Sequence, residues 1–153
     1  MGLDMYLTRK TYVKQWSHQT PEEKFEITIT KGGKPYDGID LSNVSNIDEE
    51  VGYWRKCNHI HRWFVDNVQN GEDDMGEYSV SKKQLEELLS ACKEVLNDHN
   101  KADGLLPTVS GFFFGNTDYD EYYYDSLERT TIMLDKILGE SNPNQDIYYS
   151  SSW

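Results

Sequence analysis

From Ser81 onward the apolar residues fall at Leu85, Leu88, Leu89, Cys92, Val95 and Leu96, a single stripe at helical spacing. Ser81 and Gln84 supply the reciprocal capping pattern that fixes where such a helix begins. A helix with one apolar stripe is stable only when the stripe is buried against another element, so the rest of the chain must provide a matching face. At 153 residues the chain is long enough to build one core of that kind.

The matching face is written in period two. Leu3, Met5 and Leu7 alternate with Asp4, Tyr6 and Thr8, the pattern of a half-buried strand. Phe25, Ile27 and Ile29 alternate in the same way, and Lys31-Gly-Gly-Lys34 follows as a two-glycine turn. These residues predict a second strand and a short returning third one over 36–41, confined to a sheet edge by Pro35.

From Glu49 the spacing of Val51, Trp54, Cys57, His61, Phe64, Val65 and Val68 predicts a long helix closed by Asn70-Gly71. The short apolar run Ser110-Gly-Phe-Phe-Phe-Gly115, between glycines, predicts a central strand. Thr117 is the expected cap of a third helix, with an inward stripe of Tyr123, Leu127, Thr130, Leu134, Ile137 and Leu138 and a stop at Gly139. The aromatic-rich tail over 146–153 predicts a last strand. The expected architecture is a single α+β domain over 1–153: a mainly antiparallel sheet of four to five strands packed with three helices.

Twenty-seven acidic against 15 basic residues give a formal charge of −12, which repels nucleic acid and favours basic partners or metal ions. Eleven tyrosines, five phenylalanines and four tryptophans separate the chain from aromatic-poor disordered acidic sequences. No run reaches the ~20 apolar residues of a membrane helix, and the first seven residues lack the basic and apolar segments of a secretory leader. A cytoplasmic protein with no membrane partner is the expectation. Cys57 and Cys92 read as buried free thiols.

Candidate site residues come from two places. On the first predicted helix, Asn58 and His61 project into the apolar stripe. Either backbone from a neighbouring strand satisfies them, or they line a pocket walled by Trp54; His59 and Arg62 project towards solvent. At the expected strand-to-helix junction, Gly115-Asn-Thr-Asp-Tyr-Asp120 combines free backbone amides with carboxylates. Asp118, Asp120 and Glu121 there suit a hard cation, a hydrogen bond to a ligand's base or hydroxyl, or simple helix capping. Tyr119, Tyr122, Tyr123 and Tyr124 cover most faces of a helix, so at least one is exposed. Glu72-Asp-Asp74 reads as a solvated loop. The chain carries no phosphate-binding glycine motif, nucleophile elbow, paired-histidine zinc signature or arginine cluster.

The segments 1–7, Val51-Gly-Tyr-Trp-Arg-Lys-Cys-Asn58, Ile60-His-Arg-Trp-Phe-Val65, Asn67-Val-Gln-Asn-Gly-Glu-Asp73, Leu106-Pro107, Gly111-Phe-Phe-Phe-Gly-Asn-Thr-Asp-Tyr-Asp-Glu121 and Tyr148-Tyr-Ser-Ser-Ser-Trp153 resemble a family of small, uncharacterised bacterial, prophage and phage proteins. The resemblance implies a setting, that of phage proteins countering host defence in the bacterial cell, and no activity.

Three functions follow as expectations. The first is a binding protein that sequesters a small nucleotide-derived ligand. In it Trp54 with Tyr119 or Tyr122 stack on a base, Asn58, His61 and Asp118 or Asp120 hold its polar edge, and Arg55 meets a phosphate. The second is an acidic inhibitor that mimics nucleic acid and blocks the groove of a basic host-defence protein such as a CRISPR nuclease. The third is a metal-assisted hydrolase using Asp118, Asp120 and His61. No cofactor is specified, and self-association is open in all three.

Overall fold

The computed structural model describes residues 2–140, 142 and 144–153. Strand β1 (Asp4–Tyr12) begins with the predicted alternation: Met5 and Leu7 are fully buried while Asp4, Tyr6 and Thr8 face the other way. It lies inside a four-stranded antiparallel sheet of order β4-β1-β6-β5, formed with β4 (Asn46–Arg55), β5 (Tyr78–Val80) and β6 (Gln145–Ser152). The expected C-terminal strand is therefore an interior one, and its register sets Asp4 opposite Ser152 and Leu7 opposite Tyr149.

Four α-helices complete the α+β domain: α1 (Asn58–Asn67), α2 (Lys82–Asn97), the short α3 (Ala102–Leu105) and α4 (Glu121–Gly139). Helix α2 starts where the sequence places it, with Ser81 Oγ accepting from the Gln84 amide and Gln84 Oε1 accepting from the Ser81 amide. Its stripe of Leu85, Leu88, Cys92 and Val95 joins Leu127, Leu134 and Ile137 of α4 and the inward side chains Leu3, Met5, Leu7, Trp54 and Tyr149 of the sheet in one core. Cys57 and Cys92 are buried free thiols, and burial pushes the Cys92 thiol up to about 12. Among the described residues no helix is long and apolar enough to cross a membrane.

The long helix expected from Glu49 is instead a strand followed by a helix. Lys56, at φ 53°, turns the chain between them, and Cys57 caps α1 instead of lying on it. The misreading has a cause in the register. Leu7 pairs with Gly52 and Thr8 with Glu50, so Val51 is an extra residue at a β-bulge. The bulge breaks the alternation of β4 and leaves Val51, Trp54 and Cys57 at a spacing that imitates a helix.

Three other expected strands are corrected. Over 25–41 pairing is confined to the hairpin tip, β2 (Thr30–Lys31) with β3 (Lys34–Pro35) around Gly32 and Gly33 and the adjoining bond from the Tyr36 amide to Ile29 O at 3.0 Å, and this ribbon stands apart from the main sheet. Phe25 and Tyr36 are exposed there because no layer lies over them. Residues 110–115 form a turn rather than a central strand. The interior place beside β1 is held by β6, and the chain next to β1 meets this segment through the Leu3 amide, which donates to Phe113 O at 3.0 Å. Finally, α4 is capped by Asp120, not Thr117: Asp120 Oδ1 accepts from the Tyr123 amide at 3.0 Å, which leaves Asp118 and Tyr119 in the preceding loop.

Candidate functional site

Asn58 opens α1 almost fully buried, and its side chain is a three-point clamp on the loop 108–117. Its Nδ2 donates to Phe114 O at 3.1 Å and Asn116 O at 2.9 Å, and its Oδ1 accepts from the Val109 amide at 2.9 Å. The amide has both donors and its acceptor occupied by backbone. Asn116 continues the network, donating to Asp120 Oδ2 at 3.2 Å and accepting from the Asp118 amide at 3.0 Å. The Tyr123 amide and then the Asn116 side chain hold the Asp120 carboxyl below its ordinary range.

Asn58, Asp118, Asp120 and Tyr122 come together around a cavity of about 30 Å³, shared with Lys56 and Asn116. That is the liquid-state share of one water molecule, ~30 Å³, whereas ligand pockets run to ~300 Å³ and above. Tyr122 turns its hydroxyl onto Arg55 O at 2.6 Å, while Tyr119 donates to Asp103 at 3.0 Å. The Arg55 side chain stands by Gly2 at the end of the sheet.

Trp54 and His61 lie elsewhere. Trp54 is 4% exposed between β4 and α4, where Nε1 donates to Thr130 Oγ1 at 2.8 Å, so it presents no face to a ligand. His61 is also buried, and both ring nitrogens are engaged by side chains: Nε2 with Asp73 at 2.9 Å and Nδ1 with the Tyr149 hydroxyl at 2.5 Å. Asp73 and Tyr149 between them occupy both hydrogen-bonding positions of the ring. No ring nitrogen is left for a metal. Among the described residues no group of three or more His, Cys, Asp or Glu side chains is placed to hold a metal ion.

His59, expected in solvent, is 3% exposed. Ser126 Oγ donates to Tyr123 O at 2.6 Å, so in its 2.8 Å contact with Ser126 Oγ the His59 Nε2 is the donor. Burial lowers the His59 pKa to about 3, against a small opposing pull from Asp120. Asp73 was read as part of a solvated loop, yet it joins His61 to Trp153, whose Nε1 donates to Asp73 Oδ1 at 3.2 Å. Those partners are 12 and 80 residues away, so no local pattern marks them.

Among the features with the size or exposure of a contact surface are a groove and a loop. An open groove of about 650 Å³ runs between Val13, Trp16, Phe25, Ile27, Leu41 and Val44. At the other place, the loop that Asn58 clamps displays Phe112, 98% exposed.

No family model, curated protein or solved structure matches this chain.

Proposed function

We propose that this chain is a non-catalytic binding protein that works by protein–protein contact, with its acidic surface set against a basic partner. The observation that carries the reading is how little room the cleft at the junction leaves. Its volume is about 30 Å³, and Asn58, Asn116 and Asp120 around it are bonded to one another or to backbone. A site built to receive a polar ligand keeps donors and acceptors open for it. Here the same groups fix a loop, and what faces solvent is a surface with a formal charge of −12 and several exposed aromatic side chains.

In the setting that the sequence resemblance implies, the partner is a host-defence protein with a basic groove that ordinarily receives nucleic acid. Affinity for such a partner falls steeply with salt, because desolvated aromatic contacts respond little and charge pairing responds strongly. The test is to isolate the chain from its native cell, identify what travels with it, and measure the purified pair's Kd between 50 mM and 500 mM salt, on the order of a threefold change in Debye length. A salt-independent Kd sinks the acidic-surface reading.

A second reading, capture of a nucleotide-derived ligand, has Lys56, Asp118 and Tyr122 around the same cavity in its favour. It requires the 108–117 loop to lift away from Asn58. Native mass spectrometry of the isolated protein separates the two, since a co-purifying small molecule in place of a protein supports capture.

A further inference from the structure

Phe112 is 98% exposed, and among the described residues its ring meets one other, that of Phe113, at 5.3 Å between centroids. Phenylalanine has no polar group with which to use water, so an isolated ring at full exposure is the costliest place to put one. A slack loop would let it collapse onto the surface. This loop is held at both ends: Asn58 bonds Val109, Phe114 and Asn116, the Leu3 amide bonds Phe113 O, and Thr108 Oγ1 donates to Thr117 O at 2.9 Å. Gly115, at φ +87°, packs against the backbone and Cβ of Lys56. The ring is thus presented on a fixed base.

Its surroundings say what it meets. Phe114 stands edge-on to Trp153 at 6.0 Å, and Trp153, 42% exposed, is bonded to Asp73 in the Glu72-Asp-Asp74 run. Asp118, Asp120 and Glu121 follow the loop in sequence. Among the described residues, Arg55 and Lys56 lie beside Gly2, and Lys56 also beside Gly115. Carboxylates outnumber cations, so the complementary surface is basic. A second copy of this chain, itself at −12, is disfavoured by like charge.

We propose that Phe112 is the anchor of a protein–protein interface, inserting into an apolar pocket with a basic rim on the partner while Trp153 borders the contact. This rests on the binding-protein reading above and names the place where that binding occurs. A preorganised aromatic that enters a pocket is the type of residue that dominates interface energetics.

The experiment has two stages. A photo-crosslinking phenylalanine analogue is placed at position 112 and, as a control, at Ile132, which is 71% exposed on α4. Crosslinking is done in the native cell, and the partner caught is purified. The quantity read is then the Kd of the purified pair. Phe112→Ala is expected to weaken it by about 30-fold or more, the range of an interface hot spot. Phe112→Trp should retain most of the affinity. Because the side chain supports nothing in the fold, the thermal midpoint should not change. Glu72→Lys with Asp118→Lys should weaken binding and flatten its salt dependence. Absence of a crosslink at position 112, or a Phe112→Ala pair as tight as the parent, overturns the anchor. If Phe112→Ala binds normally while Kd still falls apart with salt, the anchor fails and the acidic-surface reading stands. If Phe112→Ala is weak and salt has no effect, the reverse holds.

Discussion

Asn58 shows how one buried side chain sets a functional surface. Its amide replaces the ladder bonds that the 108–117 segment would have made in a sheet. Asn58→Ala leaves the amide of half-buried Val109 and the carbonyls of half-buried Phe114 and exposed Asn116 without that partner; an unsatisfied group costs about 1–3 kcal/mol when buried and less where water reaches it. The expected loss is about 3 kcal/mol in urea unfolding, together with faster hydrogen exchange at Val109; a loss below about 1 kcal/mol would show that the clamp is incidental. His59 carries a second prediction at this scale. Its folded pKa of about 3 lies below the ordinary 6.5, so the native state refuses a proton that the unfolded chain accepts. Its influence is absent above about pH 6.5, and stability is then lost as pH falls towards 3, at up to about 1.4 kcal/mol per pH unit. Wild type should lose about 2 kcal/mol more than His59→Gln between pH 7 and pH 5. Comparing the two removes the carboxylates that both share, and parallel pH profiles would contradict the assignment.

At the scale of elements, the loop that follows α3 depends on a backbone conformation as much as on Asn58. A Cβ on Gly115 would lie 3.1 Å from Lys56 Cβ and 3.3 Å from Lys56 O, at a φ of +87°. Gly115→Ala should therefore cost about 1–3 kcal/mol and release Val109 protection. Gly104→Ala, in α3 with nothing within 4 Å of the new Cβ, should be neutral or slightly stabilising, and equal effects at both sites would undo the argument. Legibility in the sequence follows the same division between local and distant causes. Helix α2 could be read because Ser81 and Gln84 cap it within four residues, and the start of β1 because Leu3, Met5 and Leu7 alternate in place. Strand β4 could not, since the bulge that displaces Val51 exists only in the pairing with β1. The run around Phe112 has strand composition, but the position beside β1 goes to a segment over 30 residues further on. In the candidate site, the inward direction of Asn58 and His61 was visible in the stripe. Their partners, Val109 and Phe114 for one and Asp73 and Tyr149 for the other, were not, because topology alone brings them together.

The whole molecule divides into a rigid part and an appended one. Strands β1 and β6 pair across nearly their full lengths in the middle of the sheet, so the beginning and end of the chain are tied through the core. Between β1 and β4, residues 13–45 bury a single side chain, Val13, and contain only the β2–β3 ribbon and two short 3-10 turns. Local opening is easiest where few apolar contacts must break, and proteases cut where the backbone opens. Trypsin under native conditions should therefore cut first after Lys24 or Lys31, both exposed in this excursion. Lys93 and Lys136 are also exposed, but they stand on α2 and α4, whose inner faces form the core, and cutting there requires those helices to unwind. The nicked protein should stay in one piece, because β1 on the first fragment remains hydrogen-bonded to β4 and β6 on the second. It should also keep the thermal midpoint of the intact chain to within a few degrees, about 1 kcal/mol for a domain of this size. Mass spectrometry of the early products and gel filtration of the nicked sample check both statements. First cleavage in α2 or α4, or separation of the fragments, would mean that the excursion supports the core, and the 650 Å³ groove along it would then be a structural seam instead of an open surface.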